Sequence, residues 1–136
     1  MNAKQYKQGF YGNLIISHTI GEKESKLVEE LIYIDKKGRT HRAPANMPTD
    51  GLSIPRFFWR VVDPPMSSKY LAAAIIHDHY CYKAAHLADS DIKAARKLRK
   101  DADKLFYEML RYLGCGFVKA KAMYRAVRLG SITIKT

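Results

Sequence analysis

The chain has 136 residues, 47% hydrophobic and 27% charged, the balance of one globular domain large enough to bury a core. Its longest apolar run, Leu71 to Ile76, falls far short of the roughly 20 residues a membrane span needs, and the first ten residues hold no apolar signal-peptide core, so neither a transmembrane nor a secreted protein is expected. Two cysteines, Cys81 and Cys115, suit a reduced compartment better than a disulfide scaffold, and a formal net charge of +11 calls for an anionic partner.

Up to residue 45 the text is strand-like. Residues 13–20 carry Leu14, Ile15, Ile16 and Ile20, and Gly21 then breaks the run. Residues 26–34 form a second apolar run, interrupted in its alternation by Glu29 and Glu30. Asp35-Lys36-Lys37-Gly38 reads as a hairpin turn, with Gly38 supplying the positive φ, and 39–43 as the returning strand. The expectation is a small antiparallel β-meander. Residues 44–55 contain Pro44, Pro48, Gly51 and Pro55 and read as a loop, long enough in a small domain to suggest function. Pro55 opens a short helix over 56–62, which Asp63-Pro64-Pro65 ends.

The remainder reads as helix. Ser67 or Ser68 caps a helix over 69–87 that is apolar on all sides at its start, as a central buried helix would be. Asp89 or Ser90 caps a second over 91–113, with Ala95, Leu98, Ala102, Phe106, Met109 and Leu113 at helical spacing. A third, over 117–129, is basic and ends at Gly130. From Asp91 onward, twelve Lys/Arg face four acidic residues, so this last third holds +8 of the +11. The predicted class is α+β in a single domain: meander over 1–45, loop and short helix over 46–66, and a helical part over 67–136.

Chemistry concentrates at His77-Asp78, an adjacent imidazole and carboxylate inside the apolar helix, costly to bury without partners. Helical neighbours point about 100° apart, so Asp78 is free to ligate a cation while His77 addresses a substrate or water. A helical hairpin turning near Ala88 brings Asp103 close to His77, where a carboxylate fixes one imidazole tautomer. The loop at Asp50-Gly51-Leu52 offers a further carboxylate and carbonyl oxygens, donors that suit Ca²⁺ rather than Zn²⁺. A zinc site from His77, His79, Cys81 and His86 is not expected, because residues two apart on a helix face apart. An HD-type phosphohydrolase needs upstream helical histidines, and His41 falls in a predicted strand.

Asp50-Gly51-x-Ser53, then His77-Asp78, then Asp103-x-x-Phe106 resembles the bacterial branch of the secreted phospholipase A2 superfamily. The resemblance implies a phospholipase-A2-like helical hairpin, His77 as general base toward water, Asp103 as its orienting carboxylate, and a calcium site from Asp50, the Leu52 carbonyl and Asp78. The chain departs from that pattern at Cys81, where the secreted enzymes carry a tyrosine, and at Leu52, where the bacterial loop carries a cysteine. A longer match resembles an uncharacterised family of tailed bacteriophages and prophages. It runs from Arg42-Ala43-Pro44 and Thr49-Asp50-Gly51-x-Ser53-Ile54-Pro55 through Ala74-x-x-His77-Asp78 and Ala102-Asp103-x-x-Phe106 to Tyr124-x-Ala126-Val127-Arg128. It implies a setting in the virion or host cytoplasm, with other phage structural proteins as partners. Three functions stand open: a non-enzymatic virion or assembly component with a basic binding face, a calcium-dependent lipid esterase docking on anionic membrane, and a nucleic-acid-binding protein.

Overall fold

The computed structural model describes residues 7–22, 25–49 and 68–133. It is α+β, antiparallel strands first and helices after, and it divides into two compact units, Met1–Ser53 and Ile54–Thr136.

Among its described residues the first unit holds six short strands: β1 (Gly9–Tyr11), β2 (Ile16–His18), β3 (Ser25–Leu27), β4 (Leu31–Ile34), β5 (Thr40–Ala43) and β6 (Pro48–Thr49). They form two three-stranded antiparallel sheets, ordered β1-β4-β5 and β2-β3-β6, instead of one meander. The divergence starts inside the predicted strand 26–34, which is two strands. Leu27, Leu31 and Tyr33 are all buried. In an unbroken strand Glu29 would share their face, because side chains alternate with period two, and its carboxylate would enter the core. The chain breaks after Leu27 instead and leaves Val28, Glu29 and Glu30 exposed. The Val28 N–H is satisfied by the Ile15 carbonyl at 2.8 Å and the Leu27 N–H by that of Met47 at 3.0 Å. Gly12 belongs to the same arrangement: its φ is +103° and a Cβ there would lie 2.8 Å from the Glu30 carbonyl oxygen.

The β4–β5 turn forms as expected, with Gly38 at φ +81°. Asp35 turns out to be more than a turn residue. Its fully buried carboxylate accepts from the Lys37 and Arg39 N–H groups, from Arg39 Nε, all at 2.9 Å, and pairs with His41 Nε2 at 2.8 Å. Burial by itself would raise the Asp35 pKa; the bonds from His41, Arg39 and Lys37 outweigh it and hold the carboxylate below its ordinary range.

The second unit contains α1 (Ser68–Ala88), α2 (Ile92–Tyr112) and α3 (Phe117–Thr133). The expected short helix over 56–62 lies outside the described residues. Asp91, not Asp89 or Ser90, caps α2: it is extended at φ −152° and accepts from the Ala94 N–H at 3.0 Å. The end of α2 is a Schellman turn. Gly114, at φ +91°, donates to the Arg111 carbonyl, and Cys115 donates back to Leu110 while burying its side chain. α3 continues through Gly130 to Thr133, since a single glycine costs a helix only about 1 kcal/mol. Ala73, Ala74 and Ala84 on α1 and Ala95 and Ala102 on α2 are buried, small enough to bring backbones close, with Ile75, Ile76, Phe106, Met109, Leu110 and Met123 filling the core.

Candidate functional site

α1 and α2 are of equal length and joined by a turn at residues 89–91. His77 lies as far before that turn as Asp103 lies after it, so the hairpin sets them face to face. His77 Nε2 sits 2.6 Å from Asp103 Oδ1. The His77 side chain is 7% exposed, that of Asp103 not at all. The Phe106 ring packs against the imidazole, centroids 4.9 Å apart.

Asp103 has two further partners that the sequence reading did not assign. Arg99 Nε donates to Oδ1 at 3.3 Å from one turn earlier on α2, and Arg128 on α3 donates to Oδ2 at 2.8 Å. Arg99 was accessible from spacing, four residues before Asp103 on one helix. Arg128 lay in the quoted Tyr124–Arg128 match, but its partner depends on how α3 packs against α2. The carboxylate thereby ties together the three described helices.

Charge decides the protonation states. Burial alone would raise the Asp103 pKa, but the hydrogen bond from His77, with Arg99 and Arg128, keeps it below the ordinary carboxylate range. Burial is also the largest influence on His77 and pushes its pKa down. Asp103 opposes this and the Arg99 guanidinium reinforces it, so the ring stays neutral. An anionic Asp103 accepting from Nε2 requires the proton on that nitrogen, which leaves Nδ1 as the bare lone pair. Cys81 Sγ lies 3.6 Å from Nδ1 and 3.7 Å from Nε2. The sulfur therefore packs against the imidazole, within hydrogen-bonding reach of Nδ1. Burial pushes the Cys81 thiol up to about 12, and it is a thiol, not a thiolate.

His77 and Asp103 thus meet as expected. Of the implied calcium ligands, Asp50 and Leu52 lie outside the described residues; Asp78 is half-buried on α1 and has interactions of its own. Among the described residues no three His, Cys, Asp or Glu side chains gather as a metal site. His86 is exposed, edge-on to the Tyr82 ring. Cys81 and Cys115 are not disulfide-bonded. No helix among the described residues is long and apolar enough to cross a membrane.

Comparison with known proteins gives a family and no activity. A family model described as protein of unknown function (DUF1353) matches residues 25–127. The uncharacterized protein y4jT of Sinorhizobium fredii is 32% identical over 102 residues, 75% of this chain and 27% of that protein. The uncharacterized protein y4iH of the same organism is 29% identical over 119 residues, 87% of this chain and 45% of its own length. The chain therefore spans less than half of each of these two relatives. No solved structure matches.

Proposed function

The chain belongs to the DUF1353 family, and from that premise we propose that it is a non-enzymatic binding component. In this reading the buried His77–Asp103 network holds three helices together, and the basic outer faces of α2 and α3 meet an anionic partner. One observation carries the reading: Asp103 is shared by His77, Arg99 and Arg128. A working His-Asp dyad needs its carboxylate to stabilise the imidazolium formed during proton transfer. Here two guanidiniums already outbalance that single negative charge, and protonating His77 would put a third positive charge into a buried cluster. Such a network is suited to fixing helix register. On α2, Lys93, Lys97, Lys100 and Lys104 recur at spacings of three and four and are all exposed, forming one basic stripe. The resemblance to tailed-phage proteins supports a place in a virion or its assembly, beside other phage structural proteins.

A second reading has its own support. With Nε2 committed to Asp103, His77 Nδ1 has no oxygen or nitrogen partner among the described residues, the arrangement a general base presents to water. The protein would then be a calcium-dependent lipid esterase. Calcium would polarise the ester carbonyl; of the six to eight oxygens it takes, Asp78 lies among the described residues, and Asp50 and the Leu52 carbonyl lie outside them. Fatty-acid release from phospholipid vesicles, with calcium and with chelator, separates the two. The binding reading expects background release from both wild type and His77→Ala. Calcium-dependent release by wild type that His77→Ala abolishes would overturn it.

A further inference from the structure

Beside the buried network, α2 and α3 leave an open groove of about 170 Å³ lined by Lys104, Tyr107, Lys121 and Tyr124. We infer that this groove is a binding site for single-stranded nucleic acid, with Lys104 and Lys121 on successive phosphates and a base against the tyrosines. The inference rests on the basic-face reading above and names what that face takes.

Placement makes the argument. Asp103–Arg128 and Tyr107–Tyr124 contacts show that α2 and α3 run antiparallel, since moving back along one helix matches moving forward along the other. In that register Lys121 lies level with Leu110, so at a 1.5 Å rise the two lysines stand about 9 Å apart along the groove, with both tyrosines between them. That is a separation between backbones, to which each flexible lysine side chain adds its own reach. The spacing suits two neighbouring phosphates of an extended strand.

The side chains are available. Both lysines are exposed, and among the described residues neither ammonium has a carboxylate partner; Lys121 lies only over the Phe117 ring, at 5.6 Å. The tyrosine rings meet edge to face with centroids 6.1 Å apart. Both rings are half-buried and line the groove, and neither hydroxyl is hydrogen-bonded among the described residues. Cationic groups flanking an aromatic platform are how sequence-tolerant single-strand binders work: charge tracks the backbone and any base offers a π-face. A lipid surface is flat and offers no planar group to a recessed ring. Lys93 and Lys100 extend the positive stripe along α2 beyond the groove, as a polymer requires, while Lys97 between them is paired with Asp101.

Fluorescence anisotropy of a labelled oligothymidylate over a salt series tests this. Lys104→Gln/Lys121→Gln is compared with Lys93→Gln/Lys100→Gln, which removes the same charge from the same helix face outside the groove. The groove pair is expected to weaken binding at least tenfold, and to flatten the slope of log affinity against log salt by about 1.4, two phosphates at about 0.7 each. The outer pair is expected to weaken it less than threefold. Tyr107→Leu alone is expected to cost about tenfold, with helical circular dichroism confirming that each variant is folded. Equal losses for the two lysine pairs would overturn the groove and leave a diffuse basic face. So would wild type that ignores the oligonucleotide yet sediments with vesicles of phosphatidylglycerol and phosphatidylcholine. Binding to neither would sink the basic-face reading as well.

Discussion

Asp103→Asn is the sharpest perturbation of the three-helix network, because it keeps shape and removes charge. The wild-type carboxylate is fully buried and is the shared counter-charge of Arg99 and Arg128, whose side chains are 13% and 28% exposed. The amide leaves both guanidiniums facing a neutral group and loses two short charge-assisted bonds, at 2.6 and 2.8 Å. Removing one member of a buried ion pair costs about 3–5 kcal/mol. Arg128 has room to swing toward water, so about 3 kcal/mol is expected. Asp101→Asn is the matched control: it breaks the exposed Lys97–Asp101 pair at 3.0 Å on the same helix and is expected to cost under about 0.5 kcal/mol. Urea titrations followed by helical circular dichroism read the second unit, which holds all three described helices. Adding Arg128→Gln to Asp103→Asn is expected to recover about 1 kcal/mol, because one uncompensated charge leaves with it. A loss below about 1 kcal/mol for Asp103→Asn, or one matching Asp101→Asn, would show that the network does not hold the helices, and the binding reading would lose its main support.

Acid should destabilise the chain through His77. The folded state holds its pKa below the unfolded value, so below about pH 6.5 the unfolded chain takes up a proton that the folded chain refuses. Stability is complete above that pH and declines as pH falls toward the folded pKa, by at most about 1.4 kcal/mol per unit. His79, also held low, first by burial and then by Lys83, contributes with the same sign. His77→Gln should therefore flatten, without abolishing, the difference in urea midpoint between about pH 5 and pH 7; an unchanged difference refutes the assignment. Gly12→Ala places a Cβ 2.8 Å from the Glu30 carbonyl at φ +103° and should cost the strand unit about 1–3 kcal/mol. Amide exchange on β1 and β4 reads this, and unaltered protection there would contradict the close approach. Cys81, its thiol pushed up to about 12, should resist iodoacetamide in the folded chain and react once the chain is unfolded. Rapid labelling of the native protein would mean that the sulfur does not sit on the imidazole.

What sequence reading reaches depends on how local the determining interaction is. The three helices follow from apolar spacing within each segment, and their predicted bounds differ from the observed ones by zero to four residues. The His77–Asp103 contact was accessible too, because a short turn between helices of equal length fixes their pairing. The sheets were not. Which strand pairs with which is a choice among distant partners, and the run over 26–34 concealed its break until Glu29 was placed on the face of Leu27 and Leu31. Arg128 shows the same limit at the site. Nothing within α3 says that its guanidinium reaches back 25 residues to Asp103, yet that contact changes the chemistry assigned to His77. A histidine and one carboxylate describe a base with its orienting group. The same pair with two guanidiniums on the carboxylate describes a buried cluster already carrying surplus positive charge, where the imidazole does best by staying neutral. The residue that alters the functional reading is the one whose position only the packing of α3 against α2 determines.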